Sequence, residues 1–261
     1  MGKTRIIAFA NNKGGSGKTT SCANVGYCLS TMGKRVLLID GDMQLNLSLS
    51  FFDEDQVMGF ATGGHTIYEG VLADEDLTDY IVHTDYEGVD LIPSTTLMSS
   101  MEYQLYPKFS RELILKGCLE KLKKSGKYDY ILIDSPPTLG GWVMNILVAA
   151  DQVIIPVEAS PWGLFGLANM FEFIDQAKKI NKKISLLGVL ITKVDTRKNY
   201  YKQTASTLAE ADVAVFDSII RIDSEIEWAQ DNSKPIMAYK KSARSAGEYL
   251  TLAQEVADKC Q

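Results

Sequence analysis

Asn11-Asn-Lys-Gly-Gly-Ser-Gly-Lys-Thr-Thr20 is the stretch on which the reading of this chain turns. The apolar run Ile6-Ile-Ala-Phe-Ala10 precedes it, and Cys22 to Thr31, with helical spacing, follows it. The Gly-rich segment therefore lies between a strand and a helix N-terminus, where backbone N–H groups and the positive end of the helix dipole converge on an anion. Gly14, Gly15 and Gly17 let the backbone curl around that anion with no Cβ in the way. Lys18 would reach the terminal phosphates and the Thr19 hydroxyl would ligate Mg²⁺, so Lys13, Gly14, Gly15, Ser16, Gly17, Lys18, Thr19 and Thr20 form a candidate nucleotide site. The standard pattern has glycine five residues before the Gly17-Lys18 pair. Here that position is Asn12, and an extra lysine, Lys13, stands beside it. The rival reading is a glycine-rich turn with a solvated lysine pair, but it leaves the strand-loop-helix context unexplained.

A length of 261 residues with 46% hydrophobic content suffices for one large α/β domain and requires no second. The net charge of −6 argues against a surface that grips nucleic acid all over, although it permits a local basic patch. Cys22, Cys28, Cys118 and Cys260 form no C-x-x-C pair and no metal-like spacing with His65 or His83, so inert thiols in a reducing cytosol are expected. No signal peptide is visible and no apolar run approaches the roughly 20 residues that span a bilayer, which implies a cytoplasmic protein.

Strand-like segments alternate with helical ones, the pattern of a mainly parallel twisted sheet with helices on both faces. Strands are expected at 35–40, 89–93, 128–134, 152–157 and 186–192, with 214–221 a strand or loop. Helices are expected at 21–32, 66–72, 77–80, 142–150, 163–180, 200–211 and 243–259. Residues 52–64 are Gly- and acid-rich and read as a surface loop. Residues 97–126 read as one or two helices with a basic end at Lys121, Lys123, Lys124 and Lys127, complementing the helix dipole.

A phosphate loop needs carboxylates from the ends of neighbouring strands, and Asp40, Asp42 and Asp134 sit at or just beyond such ends. Asp134 follows four apolar-rich positions in the manner of a Walker B carboxylate, meeting Mg²⁺ directly or through water; the alternative is an ordinary cap of the next turn. Asp40 and Asp42 point to different sides of a continuing strand, so only one approaches the γ-phosphate closely. Asp42, beyond Gly41, is better placed to contact an attacking water.

Lys13-Gly-Gly-Ser-Gly-Lys-Thr-Thr20, Asp40-Gly-Asp-Met-Gln-Leu-Asn-Leu-Ser48 and Tyr128-Asp-Tyr-Ile-Leu-Ile-Asp-Ser-Pro-Pro137 resemble the three nucleotide motifs of the ParA/MinD family of deviant Walker A ATPases, in its chromosome- and plasmid-partitioning branch. The resemblance covers nearly the whole chain, implying one P-loop NTPase domain over 1–261, with ATP/ADP and Mg²⁺ as cofactors. It implies that Lys13 crosses an ATP-bound homodimer to the other subunit's phosphates, that Lys18 and Asp42 serve hydrolysis, and that Thr19 ligates Mg²⁺. Asp40 and Asp134 would support the metal through water. Met43 and Leu45 stand where the family usually has Pro and Gly. Gly188 to Arg197 resembles the segment beside the adenine and Ile219-Ile-Arg221 the later base loop, giving Thr192 and Arg221 as base contacts; Thr192 also reads as the end of a buried strand.

The resemblance further implies nonspecific DNA binding by the ATP dimer, a ParB-like activating partner and nucleoid association. Arg197, Lys198, Lys202, Arg221, Lys240, Lys241 and Arg244 are candidate phosphate contacts, but Asp223, Glu225 and Glu227 interrupt them. The alternative is a ParA-like positioning ATPase for a protein cargo, using DNA weakly or not at all. The C-terminal segment has an acidic polar face, which disfavours a membrane helix of the MinD type. The cluster cysteines of iron-sulfur relatives are absent after Asp134, and the few residues before the first strand leave no room for a DNA-reading helix-turn-helix.

Overall fold

The computed structural model describes residues 4–160 and 162–260. One eight-stranded sheet organises them: β1 (Arg5–Phe9), β2 (Val36–Asp40), β3 (Val82–His83), β4 (Val89–Ile92), β5 (Tyr130–Asp134), β6 (Gln152–Glu158), β7 (Ser185–Val194) and β8 (Val215–Arg221). Their spatial order is β3-β4-β2-β5-β1-β6-β7-β8. Every neighbouring pair is parallel except β3 with β4. The strands are apolar runs because a parallel sheet is covered on both faces; β2 and β5 are buried along their whole length.

Each face carries its own core. On one, Ile7, Leu38 and Leu132 meet the Lys18–Thr31 and Arg244–Lys259 helices; on the other, Ile6, Leu37 and Ile131 meet the Gly141–Ala149 and Leu167–Ile180 helices. The last helix buries Ala246, Tyr249, Leu252, Ala253, Val256 and Ala257 against the sheet and the Lys18–Thr31 helix, so its apolar face is spent on the core. Among the described residues no helix is long and apolar enough to cross a membrane. All four cysteines are buried and unpaired.

The chain leaves β1 toward β2 on one side, and leaves β5 for β6 on the other side of β1. Ligand crevices of open α/β sheets form at the carboxyl ends of strands where such a reversal occurs. The register puts Phe9, Asp40 and Asp134 at one level there, with Asp134 paired to both.

Most expected elements form, and the departures have local causes. Residues 54–62 are a helix, not the expected loop: Asp53 accepts from the Gln56 N–H while the Gln56 side chain accepts from the Asp53 N–H, a complete capping box. Residues 97–126 break into short helical pieces instead of one or two helices, with Pro107 and a left-handed Ser110 (φ 49°) interrupting them. The helix expected from 163 begins at Leu167, because Gly166 turns left-handed (φ 84°) where the chain passes Asn12. The short β3 and the Ser224–Asp231 helix, capped by Asp223, were not anticipated.

Candidate functional site

The segment after β1 forms a phosphate loop. Gly15 (φ 71°) and Gly17 (φ 88°) occupy the left-handed region, and Gly17 caps the Lys18–Thr31 helix. Asn11 steadies the entry: its amide donates to the Pro156 carbonyl at 2.5 Å and its side-chain oxygen accepts from the Lys13 N–H at 3.1 Å. Asn12, in the place of the standard glycine, packs against Gly166; a Cβ at 166 would come within 2.6 Å of its side chain.

Lys18 is buried and its Nζ donates to the Lys13 carbonyl at 3.2 Å. Burial lowers its pKa, opposed by the charges of Asp134 and Asp42. Lys13 reaches sideways instead: its Nζ is 3.0 Å from Glu158 Oε2 and 3.5 Å from Ser160 Oγ. Within one chain the extra lysine is thus tied to the end of β6.

The three aspartates divide the work. The Thr19 hydroxyl donates to Asp134 Oδ2 at 2.6 Å, while Asp134 Oδ1 is buried with no partner. Burial and then neighbouring Asp40 push the Asp134 carboxyl well above the usual range. Asp40 is pushed up to about 6 by burial, although it accepts from Ser48 N (2.8 Å), Ser48 Oγ (2.7 Å) and Asp42 N (3.2 Å). Those bonds commit Asp40 to anchoring the 41–48 loop. Asp42 lines the phosphate cavity with Gly14 to Thr20, and burial raises its carboxyl pKa.

A divalent cation fits this arrangement. One lysine, Lys18, faces the buried carboxylates of Asp134 and Asp42, and the unpartnered Asp134 Oδ1 beside the Thr19 hydroxyl supplies a receptor for the ion or its water. Among the described residues no group of three or more His, Cys, Asp or Glu has metal-binding geometry. Mg²⁺ keeps several waters and takes ligands from substrate phosphates, so it needs few protein oxygens.

The 41–48 loop is coupled to β5 and the helix after it. Gly41 donates its N–H to the Asp134 carbonyl at 3.0 Å, and a Cβ there would meet that oxygen at 2.6 Å, so only glycine fits. The Gly41 carbonyl accepts from Trp142 Nε1 at 2.9 Å, and Glu102 caps the same helix by accepting from Gly141 N and Trp142 N at 2.8 and 3.0 Å. Glu102 and Trp142 were missed in the sequence, since no local pattern brings residue 102 to residue 141.

Leu45 adopts φ 61° and ψ 12°, a conformation that costs a branched L-residue about 1 kcal/mol and glycine nothing. Leu45 is retained because its side chain packs partly against the core. Leu45→Ala loses that packing and keeps the strain, whereas Leu45→Gly loses the packing and relieves it. Chemical denaturation is therefore expected to find the glycine variant about 1 kcal/mol the more stable of the two.

Beside the phosphate cavity of about 510 Å³ lies a second of about 250 Å³, and Gly17, Thr20, Lys193 and Gln230 line both. The second carries Thr192, Arg221, Ile222, Glu227 and Tyr249. Thr192 is buried, with its hydroxyl 2.8 Å from the Ser16 carbonyl and 3.1 Å from that of Val157, so it braces the phosphate loop. Arg221 lines the cavity while its Nε donates to Glu248 Oε1 at 2.5 Å.

Fold and site together define a P-loop protein with a deviant phosphate loop. A family model described as an AAA domain matches residues 4–186. The chain is 38% identical over 259 residues to the sporulation initiation inhibitor protein Soj of Bacillus subtilis, covering 98% of this chain and 99% of that one. It is 33% identical over 254 residues to the chromosome partitioning protein ParA of Caulobacter vibrioides, covering 97% and 93%. Cobyrinic acid a,c-diamide synthase from Mycobacterium smegmatis with bound ADP and magnesium superposes with a TM-score of 0.81 at 30% identity, over 96% of this chain and 93% of that one. The chain belongs to the ParA/MinD family of P-loop ATPases, on the partitioning side.

Proposed function

We propose that this chain is a Mg²⁺-dependent partitioning ATPase whose ATP-bound homodimer binds DNA without sequence preference and is released when a ParB-like partner stimulates hydrolysis. The observation that carries the reading is Lys13. A second lysine at the front of the loop, held by a single partly exposed pair with Glu158, is free to exchange that carboxylate for a phosphate of a facing subunit at small cost. Lys18 and the loop N–H groups hold the ATP phosphates, Thr19 and Asp134 hold Mg²⁺, and Asp42 positions the attacking water. Mg²⁺, held by Thr19 and Asp134, would supply charge neutralisation of the transferring phosphoryl group. Loss of the γ-phosphate removes the ligand shared by Lys13 and the Asp42 loop, and the dimer relaxes. The proposed location is cytoplasmic, on the nucleoid.

Of seven candidate cations, Arg197 and Lys198 pair with Asp195, Arg221 and Arg244 with Glu248, and Lys240 with Glu225. Lys202 and Lys241 make no ion pair among the described residues. This pairing favours the second reading, a positioning ATPase for a protein cargo, to the extent that DNA affinity is low. Retention on nonspecific duplex DNA with ATP, measured across salt concentrations, tests it. With about two to four phosphates neutralised per dimer, log K is expected to fall against log salt with a slope of about −2 to −4. Absence of retention at low salt would remove DNA as the track and leave the cargo reading.

A further inference from the structure

Lys193 lies outside the three nucleotide motifs, in the Gly188–Arg197 segment read as flanking the adenine, yet it stands over the phosphate loop. Its Nζ is 3.8 Å from the position a Cβ on Gly15 would occupy. It lines both the phosphate cavity and its neighbour, at their junction. It is exposed and makes no ion pair among the described residues. Its backbone is the second observation. Lys193 has φ 52°, rare for a non-glycine residue, and lies where the β7–β8 register shifts between Ile191 and Val194. Bulges of this kind re-aim a side chain, and they gather beside active sites. Strand alternation is otherwise intact around it: Thr192 and Val194 are both buried, with Thr192 bracing the Ser16 carbonyl.

We infer that Lys193 is a nucleotide-binding residue, its ammonium contacting the phosphates of the bound nucleoside triphosphate and its stem covering the passage from phosphate loop to base cavity. The inference rests on the reading of these cavities as the ATP site. It adds a cation supplied by β7, opposite the helix that supplies Lys18. The Lys193 side chain packs in neither hydrophobic core.

The test is ATP, ADP and AMP binding by the full chain with Mg²⁺, comparing wild type with Lys193→Met, Lys193→Arg and Lys18→Ala. Lys193→Met keeps the stem and removes the charge; the dissociation constant for ATP is expected to rise about tenfold, that for AMP less, the range of one charge-assisted hydrogen bond. Lys193→Arg should restore ATP binding to within about threefold. Because the ammonium is exposed, the melting temperature of the nucleotide-free protein should not move. Raising salt should narrow the gap between wild type and Lys193→Met. Unchanged ATP affinity in Lys193→Met, with Lys18→Ala binding lost, would overturn the assignment of Lys193 alone. Unchanged affinity in both variants would overturn the nucleotide site itself. A lowered melting temperature without a change in affinity would make Lys193 a structural residue and also overturn the inference.

Discussion

Replacing Lys18 with alanine is expected to lower ATP affinity by at least about 100-fold, the largest effect of any single change in the site. The estimate follows from the cost, about 2–5 kcal/mol, of truncating one member of a buried charge pair. Lys18 is the buried cation facing Asp42 and Asp134, and its ammonium lies within the loop that receives the phosphates. Its removal deletes the attraction for the incoming phosphates and leaves Asp42 and Asp134 repelling them. The apo fold should survive, because burial already opposes the charged form of Lys18. Thermal shift separates these effects: ATP at 100 times its dissociation constant stabilises the wild type by about 2.7 kcal/mol, and that shift should vanish in the variant while the apo transition persists. A normal ATP-induced shift would remove Lys18 from the site.

Asp42→Ala should act on the opposite quantity, with ATP affinity retained within a few-fold and turnover lowered by about 10²-fold or more. Asp42 lines the phosphate cavity, but its loop is held elsewhere: by Asp40 on Ser48, by the Gly41 N–H on the Asp134 carbonyl, and by Trp142 on the Gly41 carbonyl. Shortening residue 42 removes the carboxylate and the bond it accepts from the Gln44 N–H at 3.1 Å, while the other bonds keep the loop anchored. Single-turnover hydrolysis, with partner and DNA present if basal turnover is slow, measures the effect. An unchanged rate would reassign the water to another group. Loss of ATP binding would mean that Asp42 shapes the phosphate cavity rather than the chemistry.

The phosphate loop, Asp134, the alternation of strands and helices and most of their boundaries were legible because each is written in contiguous residues. Gly15 and Gly17 mark left-handed turns, and apolar runs mark strands buried on both faces. The Asp53–Gln56 capping box is equally local, but the glycine and acid content around it points to a loop. Leu45 carried a partial signal: a side chain stands where the family has glycine, but only the backbone reveals that the residue keeps glycine's conformation.

Other properties were not local. Ser48 folds back on Asp40, and the Thr192 hydroxyl meets the Ser16 and Val157 carbonyls, bonds that no run of adjacent residues announces. Asp195, Glu225 and Glu248 pair with five of the C-terminal cations that the sequence offers as phosphate contacts. Residue order alone determined a deviant phosphate loop between strand and helix, its lysines and the apolar strand that ends in Asp134, since turn geometry and strand burial act over a few neighbouring residues. Tertiary structure alone decided which carboxylates remain free, which cations are already neutralised, and that a bulge at Lys193 aims a further lysine at the loop, because hydrogen bonds and ion pairs between distant segments exist only once the sheet order brings those segments together.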